Sequence, residues 1–328
     1  MKKGTAGVLI KRFISSLVVL FLLISFIFIL VRISPGDPAQ KFVSPELSPQ
    51  LAEKVRESFN LNKSLTEQYI GFLSNAIAGN FGISYNYRIP VLSVISRPLS
   101  FTLIFTSISF VTQMLISFIL ALISVRKINS LTDRLISKTT LVLYAMPAFV
   151  VGVLLIYIFS EILGLFPSSG LKSFDAEEYG FIKSVLDYFY HLALPIATLS
   201  LIEIAIFYKY LRDNIEEVYN KHFVLNLRAN GFGEREILIR HVIPNAVNPL
   251  IAIAGIELGI LFGGTLIVEV IFGLPGMGRL TINAILTRDY PLIIGCSFIA
   301  GILIIITNFL ADVIKVKVDK RLLAGVLN

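Results

Sequence analysis

FVLNLRANGFGEREILIRHVIPNAVNP, Phe223 to Pro249, is a charged, soluble-looking run that leads directly into LIAIAGIELGILFGGTLIVEVIF, Leu250 to Phe272, which is apolar and stepped with glycine. GLPGMGRLTINAILTRDYP, Gly273 to Pro291, closes the segment. A polar hairpin, a membrane crossing and a tight return loop thus follow one another. That succession predicts an all-α, polytopic membrane protein.

Composition agrees. Of 328 residues, 55% are hydrophobic and 16% charged, against about 25% charged in an ordinary soluble domain. The net charge of +7 points to basic membrane loops rather than to nucleic acid, because Lys and Arg cluster beside the apolar runs. Cys296 is the only cysteine, which excludes an internal disulfide and a cysteine metal cluster. His191, His222 and His241 lack ligand spacing. No metal, cofactor or catalytic residue is expected in this chain.

Apolar runs predict six transmembrane helices, at about 13–31, 99–125, 139–160, 191–208, 248–272 and 291–313. The first follows a basic start, Lys2, Lys3, Lys11 and Arg12, and no small-residue cleavage site follows it, so it reads as an uncleaved membrane helix. Together with an extracytoplasmic segment it makes up residues 1–98. In that segment Pro35, Pro38, Pro45 and Pro49 break the chain. Leu51, Val55 and Phe59 suggest a short helix, and Thr66 to Ala78 a second, ended by Gly79-Asn80-Phe81-Gly82. Residues 99–313 form the transmembrane core. Pro147 is expected to kink the third crossing, Glu161 to Tyr190 to be a loop, and Gly273 to Tyr290 a short turn. Residues 314–328 form a basic tail. The loops on the side of the termini hold 18 Lys and Arg, the opposite side 11, seven of them in the long first segment. The positive-inside rule therefore places both termini in the cytoplasm of a cell-membrane protein.

The loop 209–247 is too patterned to be a plain connector. Gly231, after Arg228-Ala229-Asn230, fits a helix stop with positive φ. After Phe232, Gly233-Glu234-Arg235-Glu236 opens a second helix with acids in its first turn, which runs past His241 and is expected to end at Pro244. Two short helices meeting at a glycine elbow suit insertion into a groove of a soluble partner. A hairpin lying on lipid headgroups is the plainer alternative.

The loop resembles the coupling loop of importer permeases of the ATP-binding cassette (ABC) class, in which a glycine is followed after nine residues by an aliphatic–proline signature. Here Gly231 is followed by nine residues and then by His241-Val242-Ile243-Pro244. Leu225-Asn226-Leu227 departs from the small or acidic residues usual before the glycine. Three further blocks resemble the dipeptide, oligopeptide and nickel permeases: Ser34 to Pro38; Leu61 to Ser84 with its Gly79-Asn80-Phe81-Gly82-Ile83-Ser84; and Glu269 to Leu280 with Arg288-Asp289-Tyr290-Pro291. The resemblance implies a type I importer permease fold. It also implies a second homologous permease, two cytoplasmic ATPases that bind ATP and Mg, and an extracytoplasmic solute-binding protein, with no nucleic acid. Arg228, Ala229, Asn230, Gly231, Phe232, Glu234, His241 and Pro244 would meet the ATPase. Peptides are the expected cargo. Nickel, metallophores and oligosaccharides remain open on the same resemblance.

Gly255, Gly259 and Gly263 recur at i, i+4, i+8, a spacing that lets helix backbones approach in lipid. They suit packing within this chain or against a second permease. Glu203 and Glu257 lie inside expected crossings, each about 10–15 Å from the hairpin side at 1.5 Å per residue. Acids at such depth face an interior or a wet cavity, so both are candidates to line a translocation path; a buried pairing with a basic or hydroxyl group is the alternative. An ion-driven secondary transporter is the distant rival and would need inverted repeats, which the sequence does not show. An intramembrane enzyme would need paired catalytic groups, and H-E-x-x-H is absent.

Overall fold

The computed structural model describes residues 3–33 and 64–318. The expected proline-rich exit at Ser34 to Pro38 and the short helix around Leu51, Val55 and Phe59 lie outside the described residues. Eleven helices carry the fold described below. α1 is Lys3–Ile33, α2 Leu65–Ile77, α3 Val91–Val125, α4 Leu131–Ala145 and α5 Ala148–Leu155, which widens into a π-helical turn over Ile156–Ile162. α6 is Phe181–Tyr219, α7 His222–Ala229 and α8 Ile243–Gly264. α9 is Leu266–Ile271, α10 Met277–Leu286 and α11 Tyr290–Val318.

Four of these, α1, α3, α6 and α11, are long and apolar enough to cross a membrane, and α4 with α5 makes a fifth if the bent pair is one span. The run Phe13–Leu30 of α1 has a mean hydropathy of 3.0, yet only 11% of it is buried within the chain. Phe13, Leu17, Leu22 and Phe26 point outward. Such a surface suits lipid, where helices satisfy every backbone hydrogen bond internally.

The expected third crossing is not one kinked helix. Proline clashes with a helical residue before it, and Met146 accordingly takes φ −84°, ψ 135°. Pro147 then starts α5, and the two helices are bent by 107°. The expected fourth crossing, 191–208, is the middle of the 39-residue α6, which claims the end of the supposed loop 161–190. The expected fifth crossing is divided between α8 and α9 at Thr265. The expected turn 273–290 contains the helix α10, and α11 runs into the supposed tail as far as Val318.

α3 and α6 pack along a stripe of small polar residues. Ser109, Gln113, Ser117 and Ser124 of α3 are all buried. Ser200 Oγ donates to the Ser109 carbonyl at 3.2 Å, and Ser117 Oγ to the Ile204 carbonyl at 3.1 Å. Small side chains let the backbones come this close, and the Ser117 and Ser200 hydroxyls each reach a carbonyl of the facing helix, the form of helix adhesion that lipid favours. Elsewhere Gly259 of α8 lies against α11: a Cβ there would sit 2.9 Å from Thr307 Oγ1. Gly301 of α11 receives Leu20 of α1 in the same way.

Two buried carboxylates fasten the end remote from the hairpin. Glu269, fully buried, accepts from Thr102 Oγ1 at 2.8 Å, Thr265 Oγ1 at 2.9 Å and the Arg279 N–H at 3.0 Å. Thr102 Oγ1 in turn accepts from the Met277 N–H. The chain from Gly276 to Gly278 wraps this carboxylate so closely that a Cβ on Gly276 would come within 2.1 Å of it, and one on Gly278 within 2.4 Å of the Leu266 Cα. Asp289, also fully buried, accepts from Ser84 Oγ and from the N–H groups of Asn86 and Leu292. These bonds tie the segment after α2 to the α10–α11 junction. The glycine-rich and Arg-Asp-Tyr-Pro blocks are therefore structural bolts.

Candidate functional site

The hairpin between α6 and α8 is built from its own sequence. α7 stops at Asn230, and Gly231 takes φ +81°. The Phe232 N–H reaches the Leu227 carbonyl at 3.1 Å and the Gly231 N–H the Arg228 carbonyl at 3.0 Å, the paired bonds of a glycine-terminated helix. Arg228 spans the elbow: Nε is 2.6 Å from Glu234 Oε1 and Nη2 3.2 Å from Oε2. This carboxylate holds the Arg228 guanidinium above its ordinary pKa. The same guanidinium lies 5.7 Å from the centre of the Tyr219 ring. Across the elbow the rings of Phe232 and His241 meet edge-on at 6.1 Å.

Pro244 does not end the second arm. A short α-turn, Glu234–Glu236, passes into a π-wound stretch, Ile237–Val242, and on into α8. Pro244 falls in the first turn of α8, where its missing N–H is not needed. The second arm therefore runs on helically into α8, whereas the first arm, α7, is set off from α6 by a turn at Asn220 and an extended Lys221 (φ −77°, ψ 145°). Its inner face is fixed: Val224, Ile237 and Val242 are fully buried in one cluster with Leu211, Ile215 and Val218 of α6. Its outer face is open, with Arg228, Ala229, Asn230, Gly231, Phe232 and Glu234 exposed. Pro244 is exposed as well, and His241 is half-buried. Beside it, between Arg126 at the end of α3 and Glu234 and Leu238, is a cleft of about 950 Å³.

A brace beneath the hairpin escaped the sequence reading. Arg212 Nη2 is 2.9 Å from Asp133 Oδ2, and Nε is 3.1 Å from Oδ1. Arg212 also reaches Glu216 at 2.7 Å. Tyr208 OH joins Asp133, Ser124 and Ser137. This network fixes the start of α4 to α6, about two helical turns before α6 ends at Tyr219. Asp133 reads as a lone loop acid in sequence, because its partner lies 79 residues away.

Glu203 of α6 and Glu257 of α8 come together, their carboxyl groups within reach of a mutual hydrogen bond. Both are half-buried. Because α6 and α8 extend beyond the expected crossings, the acids lie about 24 and 21 Å along their helices from the hairpin ends. Of the three glycines, Gly259 faces Thr307 within this chain, and Gly255 and Gly263 lie one turn to either side on α8. Among the described residues, no group of three or more His, Cys, Asp or Glu could hold a metal ion.

Residues 113–324 match the family described as binding-protein-dependent transport system inner membrane component, and residues 6–106 match its N-terminal component. The chain is 31% identical over 318 residues to the oligopeptide transport system permease protein AppB of Bacillus subtilis (strain 168), covering 97% of this chain and 99% of that protein. It is 30% identical over 310 residues to the glutathione transport system permease protein GsiC of Escherichia coli (strain K12), covering 94% and 96%. The fold is shared with the MetNI methionine ABC transporter in an inward-facing conformation, with a TM-score of 0.56 and 17% identity over 70% of this chain and 97% of that one. It is also shared with an amino acid ABC transporter, with a TM-score of 0.53 and 19% identity over 69% and 94%. The helical membrane fold, the full-length relatives and the family match agree: this chain belongs to the inner membrane components of binding-protein-dependent transport systems, a family of multi-pass ABC importer permeases rather than of enzymes.

Proposed function

We propose that this chain is one of two transmembrane subunits of an ATP-driven importer of peptides, and that the elbow at Gly231 is where it receives mechanical work. The observation that carries the reading is the hairpin itself. An exposed outer face, held in shape by Arg228–Glu234 and the bonds around Gly231, runs helically into α8 and is packed through Val224, Ile237 and Val242 onto α6. A push on such an element moves both helices. The excess of Lys and Arg on the side of the termini places the hairpin and both termini in the cytoplasm. Two ATPase subunits there bind ATP and Mg, and a solute-binding protein delivers cargo from the other side. Glu203 and Glu257 line the path. Peptide cargo is supported by the oligopeptide and glutathione systems named among full-length relatives.

The test is Gly231→Trp in the assembled complex. Uptake of a labelled oligopeptide and cargo-stimulated ATP hydrolysis are both expected to fall at least tenfold while assembly persists. Survival of both activities would contradict the coupling role.

A further inference from the structure

The acids at the crossing of α6 and α8 form more than a lining. Three helices converge there. Met114 of α3, Leu201 and Ile204 of α6, and Ile253 and Ala254 of α8 belong to one apolar cluster. Glu257 follows Ala254 by one turn, and Glu203 lies beside Ile204. Gln113 of α3 sits one turn from both Ser109, which accepts from Ser200, and Ser117, which donates to Ile204. It is therefore pressed against the part of α6 that carries Glu203. Gln113 is fully buried, yet neither its Oε1 nor its Nε2 meets a protein partner, and Glu203 Oε2 is buried and unpartnered as well. A buried amide without a partner is rare and calls for water or a ligand.

Among the described residues no ion pair reaches the two acids; α4, packed on α6, carries Asp133, Arg134, Lys138 and Tyr144, with Tyr144 beside Ala205 and Ile206. α3 carries no charged or titratable side chain between Arg97 and Arg126, and Glu257 is the only charge of α8. On α6, Glu203 stands between His191 and Tyr208, with Asp187 and Lys209 the nearest other charges. The Tyr208 hydroxyl is engaged by the Asp133 brace. α11 meets the other side of α8 with Thr307 at Gly259, and its charged residues are Asp312, Lys315 and Lys317. Two like charges in contact inside a low-dielectric helix bundle repel strongly, and a carboxyl–carboxyl hydrogen bond needs a proton to form.

We propose that Glu203 and Glu257 bind one proton between them, bridged by water to Gln113, and that this protonated pair clasps α6 to α8. The geometry gives the clasp its purpose, which rests on the coupling role of the hairpin. α6 enters the hairpin and α8 leaves it, and the pair joins the two helices at nearly equal distances from it. When the proton is present, the helices are hydrogen-bonded and move as one body. When it leaves to water, the two carboxylates repel and the helices separate at this level. Only a proton is exchanged, so the step needs no co-reactant.

The test uses the complete transporter in lipid vesicles. Infrared difference spectra across a pH titration read the C=O stretch of protonated carboxyls. The wild type is expected to show such a band at pH 7 that fades on alkaline titration, and Glu203→Gln/Glu257→Gln to lack it. Gln113→Leu, which keeps both acids, is expected to shift the band in frequency. Oligopeptide uptake should fall with the band in the wild type, at least tenfold across the titration. In the double variant the ratio of uptake at neutral to alkaline pH should be near one. No band in the wild type, an equal band in the double variant, or no shift in Gln113→Leu overturns the site. A band that titrates while the uptake profiles of wild type and double variant coincide overturns the clasp. Gly231→Trp separates this proposal from the coupling reading: it is expected to lower uptake at least tenfold and leave the band in place.

Discussion

Glu269 governs the return loop as a single residue. Its carboxylate gathers two threonine hydroxyls and one backbone N–H from three parts of the chain. Glu269→Ala leaves those donors buried without an acceptor, at a cost of about 1–3 kcal/mol for an unsatisfied group. A lower unfolding temperature is the expected result, and Glu269→Gln should recover part of the loss. Gly276→Ala should be as damaging for a different reason, since the added methyl overlaps the carboxylate itself. Gly231 behaves differently. A Cβ there meets nothing within 4 Å, so Gly231→Ala should cost only the left-handed backbone, about 1–2 kcal/mol. A thermal shift smaller than that of Glu269→Ala would agree. The glycine stop was legible in sequence because a local rule fixes it. The closeness of Gly276 and Gly278 to Glu269 was not, because spacing along the chain says nothing about what folds into the gap.

At the level of elements, the long apolar helices and α2 were readable. Apolar runs, and for α2 the apolar spacing within Thr66 to Ala78, are local signals; the capping box at Ser64 and Glu67 that starts α2 went unread. The breaks and continuations were not. Pro147 was expected to bend a helix but separates two, because Met146 cannot stay helical before it. Pro244 was expected to stop a helix but opens one, because a π-wound stretch delivers it to a first turn. The return loop hides α10, whose ten residues sit between glycine and Arg-Asp-Tyr-Pro signals that read as turns. The brace from Asp133 to Arg212 was invisible for want of any local cue. Removing one partner of such a largely buried pair costs about 3–5 kcal/mol. Asp133→Ala and Arg212→Ala are each expected to destabilise the complex. In a double-mutant cycle the pair of changes together should cost much less than their sum, measured by thermal unfolding in detergent. Additive losses would mean that the brace is not a unit.

Taken whole, the molecule is a set of lipid-facing helices bolted at one end by Glu269 and Asp289 and braced at the other beneath an exposed hairpin. On the proposed coupling role, motion imposed at the hairpin would pass along α6 and α8 toward the bolted end, with the Glu203–Glu257 contact between. That arrangement explains why the polar loop is well packed on its inner face and open on its outer face. It also gives a direct way to find what the hairpin touches. Cys296 is the only cysteine and is buried, so Asn230→Cys places a single exposed thiol at the tip. In the assembled transporter, a short thiol-to-amine cross-linker at Asn230→Cys is expected to join this chain to an ATPase subunit, with a yield that changes when ATP is added. Assembly of the complex with no ATPase adduct from that position, with or without ATP, would contradict the hairpin as the point of coupling.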